Sequence, residues 1–292
     1  MLTFTNKMNQ SIEFKGGTSF RLFWITGLDA APIENRIQKH GFTDGGDYQG
    51  SRYEPRVIEM EFGIYADNED HLRQLKRQLV NTFNSNLGLG TIVHQQDEFP
   101  RKIKGKIASG PFFPDGRNNA TKRFQRGTLT IVCPDPYWRD VEGEKRTDIA
   151  TWISNFHLPI GIPQEGVAIA YRTVSLFVNV ENSGQQKTGM IIKFKALGTV
   201  VNPKILNINT QEYIKLNRTL VAGEIITINT NKNEKRVTSE VNGVSTNIFN
   251  NWTFGSTFLQ LEIGPNVFRY EADQNSDALE VTIYHEDKFV GV

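Results

Sequence analysis

The chain predicts a mainly β fold in two domains, and three features of the sequence carry that expectation. Apolar residues recur at every second position in several segments, as half-buried strands require. One segment alone switches to helical spacing. In the second half, short apolar runs alternate with Asn-, Gly- and Ser-rich separators, the texture of an antiparallel sandwich or jelly roll. At 292 residues the chain exceeds one ordinary domain, so two are expected.

The elements follow in order. Arg56 to Ile64 sets Ile58, Met60, Phe62 and Ile64 on one face and Glu59 and Glu61 on the other. The segment "ADNEDHLRQLKRQLVNTFN" places Leu72, Leu75, Leu79 and Phe83 on one stripe of a helix. Asp67 or Asn68 supplies its cap, and acidic residues fill its first turn. Arg101 to Ile107 turns Ile103 and Ile107 inward and Lys102, Lys104 and Lys106 outward. Gly127 to Cys133 groups Leu129, Ile131 and Cys133 against Thr128, Thr130 and Val132. The prolines of "CPDPYW" then stop the ladder, and Tyr137 and Trp138 are expected to cover a core end or a domain junction. Further strands are expected at Leu176–Val180, Met190–Phe194, Ile225–Ile228, Phe258–Ile263, Val267–Tyr270 and Leu279–Tyr284. The first domain is therefore read as residues 1–138 and the second as 139–292, with 139–150 as linker or first loop.

Composition excludes several classes of function. Hydrophobic residues make up 38% of the chain and charged ones 22%, a globular balance, and the formal net charge is +1. That near-neutrality shows no overall commitment to nucleic acid or anionic membrane. One cysteine excludes an intrachain disulfide framework and a cysteine-based zinc cluster, in keeping with folding in a cytoplasm. No secretory signal opens the sequence, and no apolar stretch reaches the ~20 residues of a spanning helix.

Chemistry-bearing residues are sparse in pattern. Cys133 lacks a nucleophile signature and falls on an apolar face, so it reads as a buried structural thiol. His40, His71, His94, His157 and His285 are scattered and form no ligand pair. The glycine clusters "KGG", "DGGDYQG" and "LGLG" lack the context of a phosphate loop and read as loops and hairpins. The basic run is more suggestive. Lys102, Lys104, Lys106, Lys122, Arg123 and Arg126 form a candidate patch toward a lumen or a neighbouring subunit, against the plainer reading of a solvated strand face and loop. No catalytic residue, cofactor site or metal site is indicated.

This layout resembles the siphophage distal tail protein family, often called Dit. In the first half the likeness rests on "GLDAAPIENR", "DGGDYQGSRYEPRVIEMEFGI", "LRQLKRQLVNTFN", "GTIVHQ" and the closing "FQRGTLTIVCPDPYW". In the second half it rests on "GTVVNPKILNINTQEYIKL", "AGEIITINT", "VNG", "LEIGPNVFRY" and "HEDKFVGV". The resemblance implies a β-barrel-like N-terminal domain with one helix, akin to tail-tube proteins, that builds a hexameric ring. It implies a C-terminal galectin-like β-sandwich. Its expected partners are further copies of itself, the tail-tube protein, a tail-associated hub or lysin protein, and receptor-binding or adhesion proteins. DNA would pass through the ring without sequence-specific contact. The expected place is the tail tip, or baseplate, of a virion assembled in bacterial cytoplasm, with no cofactor and no membrane insertion. The alternative is a carbohydrate-binding module for host-wall polysaccharide, supported by Trp252 and the Asn-rich loops from Asn229 to Asn251. A galectin sugar site needs a His-x-Asn-x-Arg set, which "NIFNNWTFGS" lacks, so Trp252 reads as packing. A wall-degrading enzyme would need a carboxylate pair or metal cluster that nothing in the sequence selects.

Overall fold

A computed structural model describes residues 1–95, 99–154, 170–174 and 177–292. The chain forms two compact units, Met1–Glu142 together with Phe289–Val292, and Gly143–Lys288. His157 and Leu176 lie outside the described residues.

The first unit opens with β1 (Leu2–Thr5), β2 (Ser11–Phe14) and β3 (Phe20–Thr26). The pair β4 (Ile33–Lys39) and β5 (Gly46–Tyr53) follows, then β6 (Arg56–Tyr65) and helix α1 (Glu69–Thr82). It continues through β7 (Gly90–His94), β8 (Arg101–Phe112), β9 (Phe124–Cys133) and β10 (Arg139–Asp140). Seven strands make an antiparallel sheet in the order β2-β1-β7-β8-β9-β6-β3, and β10 pairs with β8. The sheet curls until its two edges meet at one turn. The Lys15 amide donates to the Phe20 carbonyl at 3.1 Å, and the Phe14 and Phe20 rings lie 6.3 Å apart. No ladder joins β2 to β3 among the described residues, so the barrel-like curl stays open.

Periodicity set the interior of that sheet. Ile58, Met60, Phe62 and Ile64 are buried, as are Ile103, Ile107, Leu129, Ile131 and Cys133. Helix α1 covers them with Leu72, Leu75 and Leu79. Asn68 is its cap, accepting from the His71 amide at 2.8 Å, and Phe83 closes the far end by stacking on Phe4 at 4.7 Å. β3 carries a bulge between Leu22 and Trp24. A bulge re-aims a side chain, and here Phe23 turns outward to lie over Gly63, where an added Cβ would meet the ring at 2.4 Å.

Arg56 explains the proline-rich turn after β9. It is fully buried without a carboxylate partner, and its guanidinium donates to backbone carbonyls alone. Nε reaches Pro136 at 3.0 Å, and Nη1 reaches Gly27 and Asp29 at 2.5 Å each. Nη2 donates to the carbonyl of Val290. Trp138, also fully buried, donates its indole N–H to Leu28 at 3.1 Å. Trp138 and Phe289 exchange two backbone hydrogen bonds of 2.9 Å, and the Arg101 guanidinium lies 3.5 Å from the centre of the Phe289 ring. Phe289–Val292 therefore groups with the first unit, not with the residues before it. β10 does the same through its ladder to β8.

The second unit packs two large antiparallel sheets about one core, beside two two-stranded pairs, Ala150–Ser154 with Ala170–Val174 and Val200–Val201 with Thr219–Leu220. One sheet has six strands in the order Lys145–Asp148, Leu279–His285, Met190–Ala196, Ile225–Asn229, Arg236–Val241 and Val244–Asn247. The other orders Phe177–Asn182, Gly264–Glu271, Lys204–Asn207 and Tyr213–Lys215. Val180, Ile192, Phe194, Ile205, Phe268 and Val281 fill the space they share. Phe258–Ile263 does not form the expected strand. Leu259 and Leu261 are buried in alternation, but only Leu261 finds a backbone partner, Thr188, at 2.8 and 3.1 Å. Burial alternates there without a neighbouring strand in register.

Glu224 is, with Asp287, one of two buried carboxylates of this unit among the described residues. It accepts from Ser239 Oγ at 2.5 Å, Arg218 Nε at 2.8 Å and the Val221 amide at 3.1 Å. Burial alone raises its pKa, and these hydrogen bonds outweigh burial and hold it below the ordinary 4.5. A carboxylate held low stabilises the fold above its ordinary pKa, and that contribution is lost as pH falls through the lowered value. Glu224→Ala is expected to cost about 3 kcal/mol in denaturant unfolding at pH 7. Glu224→Gln is expected to flatten the loss of stability on acidification below pH 4.5.

Candidate assembly surfaces

The six basic positions singled out in the sequence separate in space. Lys104 and Lys106 are exposed on the outer face of β8, with Lys102 half-buried beside them. Lys106 sits opposite Val132, near the end of β9, whereas Arg126 lies six residues earlier on that strand, roughly 20 Å away at strand rise. Lys122 and Arg123 are exposed just before β9, where the Arg123 carbonyl accepts from the Ala66 amide at 2.9 Å. One sheet face thus carries a lysine row at one end and Arg126 with its loop neighbours at the other.

The Arg126 end is built on aromatic rings that the sequence reading missed. The Arg21 guanidinium lies 4.1 Å from the centre of the Tyr65 ring, and that of Arg126 lies 5.5 Å from Phe23. Tyr65 and Phe124 pack at 5.1 Å, and Phe124 and Phe23 at 6.3 Å. Gly63 makes this possible, since it leaves room beneath both Phe23 and Phe124. Glu61 pairs with Arg126 Nε at 2.7 Å. Trp24, 50% exposed, follows Phe23 along the same strand. Cationic groups thus lie over rings of which Phe23 is exposed and Tyr65 and Phe124 are half-buried.

The second surface is the pair β4–β5, a two-stranded sheet that no third strand joins among the described residues. Its register opposes Ile33 to Tyr53, Asn35 to Ser51 and Ile37 to Tyr48, so these residues share one face. Glu34, Arg36, Gln38 and their partners make the other, where Arg52 Nε meets Glu34 at 2.6 Å. Ile33, Ile37 and Tyr48 are exposed, and Phe42 at the tip is entirely so. The base is anchored by Tyr53, whose ring meets Tyr137 edge-on at 5.7 Å. Tyr137 therefore braces the hairpin, while Trp138 fills the core. The signal for the hairpin was present in "IENRIQK" and "DGGDYQG", but its alternation is broken by a bulge after Arg36.

Several residues weighed for chemistry are held by packing or by surface pairing. Cys133 is fully buried, and burial, reinforced by Asp135 and partly offset by Arg56, pushes its thiol up to about 12. It is thiol at physiological pH, and a disulfide reagent is expected to label it at least about a thousandfold more slowly in the native protein than after denaturation. Burial lowers the pKa of His94 and of His285, while His71 pairs with Asp67 and His40 with Asp47 at the surface. Trp252 stacks on Phe258 at 4.6 Å and on Phe249 at 5.7 Å, and its N–H donates to Ser256. Among the described residues no three His, Cys, Asp or Glu side chains gather to hold a metal, and no helix is long and apolar enough to cross a membrane.

Comparison with known proteins places this architecture. Residues 10–133 match the family described as phage tail protein RIFT-related domain. Residues 183–289 match the siphovirus-type tail component, C-terminal domain. No curated protein sequence matches the chain. In structure it is similar to the Dit protein (gp 19.1) of phage SPP1, described as a paradigm of hub adsorption apparatus in phages infecting Gram-positive bacteria. The TM-score is 0.69 at 16% identity over 99% of both chains. It is also similar to a chain of the phage p2 baseplate in its activated conformation with calcium, with a TM-score of 0.53 at 11% identity over 100% of this chain and 99% of that one. With both family domains present in order on one chain, and the Dit fold running through its whole length, this protein belongs to the siphophage distal tail proteins.

Proposed function

We propose that this protein is the ring-forming hub of a siphophage tail tip, six copies closing into a ring between the tail tube and the adsorption apparatus. The observation that carries this reading is the β4–β5 hairpin. A lone two-stranded hairpin is marginal in water, yet this one holds Ile33, Ile37 and Tyr48 on one exposed face. Apolar side chains left exposed among the described residues are the mark of an assembly contact. The count of six and the passage of DNA through the opening rest on the family resemblance, and so do docking of tail-tube, hub or lysin, and receptor-binding proteins. The role is structural, without a catalytic step, in a virion put together in the host cytoplasm. The first unit carries the ring contacts, and the second, a galectin-like sandwich, is free to carry adhesion proteins. The lysine row of Lys102, Lys104 and Lys106 suits the lumen, where a phosphate backbone slides past without base-specific contact.

A saccharide-binding role for the second unit draws no support from Trp252, whose ring packs with Phe249 and Phe258 in a three-ring cluster. The test is cosedimentation of purified protein with reconstituted tail tubes, followed by negative-stain imaging. Rings capping one tube end are expected. Protein that stays in the supernatant but shifts its tryptophan fluorescence with wall polysaccharide would reverse the reading.

A further inference from the structure

The first unit is made of two stretches of chain, Met1–Glu142 and Phe289–Val292, with the whole second unit between them in sequence. We infer that Phe289–Val292 is a clasp that sets the root of the β4–β5 hairpin, so that a copy becomes competent to assemble only once this late segment is seated. The inference rests on the proposal that copies assemble through that hairpin, and it concerns what holds the hairpin within one copy. Three contacts carry it. The Val290 carbonyl accepts from Arg56 Nη2. Arg56 opens β6 and holds the carbonyls of Gly27 and Asp29 with Nη1 at 2.5 Å each. Gly291 lies against the same stretch, where an added Cβ would meet the Asp29 carbonyl carbon at 3.1 Å and the Ala30 amide nitrogen at 3.4 Å. Phe289 exchanges two backbone hydrogen bonds of 2.9 Å with Trp138, next in sequence to Tyr137, which braces Tyr53 of β5.

Asp29 and Ala30 lead into β4, and Arg56 follows β5 after Glu54, whose amide donates to the Pro32 carbonyl at 2.9 Å. Both feet of the hairpin therefore meet at one buried guanidinium, and the clasp supplies one of its acceptors. Unseating the clasp strips that N–H and both backbone groups of Trp138 of these partners, and buried polar groups left unpaired are costly. The loss falls first on the hairpin's feet, whereas α1 keeps its own Asn68 cap and leucine stripe. Chain order turns this into a timing device. The hairpin is synthesised early and the clasp only after the second unit, so a partly made chain carries a hairpin whose root is not yet set. Premature contacts between incomplete chains, a hazard of folding domain by domain, are thereby discouraged.

Thiol labelling and hydrogen exchange on the dilute, unassembled subunit test the clasp apart from assembly. Cys133 is the reporter, since it is fully buried and lies opposite Arg56 in the β6–β9 register. Two variants are compared with the wild type, deletion of Phe289–Val292 and the milder Gly291→Val, which keeps the other clasp residues but crowds Asp29. The milder variant carries the test if circular dichroism shows the deletion unfolded. In both, labelling of Cys133 and amide exchange over residues 33–56 are expected to accelerate at least about tenfold more than exchange in α1, with the second unit unchanged. Equal acceleration throughout the first unit, or none at Cys133 and the hairpin, would overturn the clasp. Light scattering at a concentration where the wild type assembles then reads the gate, and both variants are expected to associate at least about tenfold more weakly. Variants with a loosened hairpin that assemble as well as the wild type would overturn the gate alone. A wild type that never assembles would overturn the assembly reading and the gate together, while the exchange result would still decide the clasp.

Discussion

Arg56→Met is expected to lower the stability of the first unit by about 4 kcal/mol, the largest effect of any single substitution considered for this fold. The side chain is fully buried and makes four hydrogen bonds, to the carbonyls of Gly27, Asp29, Pro136 and Val290, with four of its five N–H donors. Hydrogen bonds from a charged donor are worth about 1.5–3 kcal/mol each, and carbonyls left buried without a donor cost about 1–3 kcal/mol. Methionine restores some apolar volume but none of these bonds. The guanidinium itself is costly to bury, which burial registers as a lowered pKa, so removing it returns part of the loss. Four kcal/mol is the balance of those opposing effects. Urea unfolding followed by Trp138 fluorescence measures it, and a loss below about 1 kcal/mol would mean that the segments around Leu28, Pro136 and Val290 hold together without Arg56. Deleting Phe289–Val292 should act in the same direction, because Phe289 also pairs with Trp138 on both sides.

Ile37→Asp and Tyr48→Asp are expected to weaken self-association by about a hundredfold each, while leaving the unfolding midpoint of the free subunit nearly unchanged. Both side chains are more than half exposed, at 57% and 64%, so the isolated chain loses little when they are replaced. Buried against a second copy, each would contribute about 2–3 kcal/mol as an apolar or aromatic anchor, and every 1.4 kcal/mol is about tenfold in the association constant. Arg36→Ala, on the polar face of the same hairpin, serves as the control and is expected to have little effect. The signature is the split between two readouts. A variant that lost association together with subunit stability would instead mark the hairpin as part of the fold.

The elements legible in the sequence were those whose side chains face one deep core. Ile58 to Ile64, Ile103 with Ile107, and Leu129 to Cys133 alternate because one face of their sheet is dry, and Leu72, Leu75 and Leu79 repeat at helical spacing for the same reason. The hairpin was not legible as an arm. Its apolar face has no core, its alternation breaks at a bulge, and its glycines read equally well as loop. Phe258–Ile263 misled in the opposite sense, alternating in burial without a neighbouring strand to pair with. The basic run misled through proximity in sequence. The bulges in β8 and the 113–123 loop carry its second half away from Lys102, Lys104 and Lys106, toward rings contributed by β3 and β6. Arg56 could not be singled out, since its four acceptors are backbone carbonyls that no residue pattern announces. The turn "CPDPYW" was legible as a strand end and as cover for a core end or a domain junction, but its contacts were not. Only the fold brings Pro136 to Arg56, Tyr137 to Tyr53 and Trp138 to Phe289.

The claim on which the rest depends is that six copies close into a ring. Light scattering across a size-exclusion peak measures it directly, with negative-stain images of the same fractions. The account predicts a mass near six times the 33.1 kDa of one chain and hollow rings seen end-on. A monomeric mass that persists at high protein concentration and in the presence of tail tubes would contradict it, as would a compact dimer related by a two-fold axis.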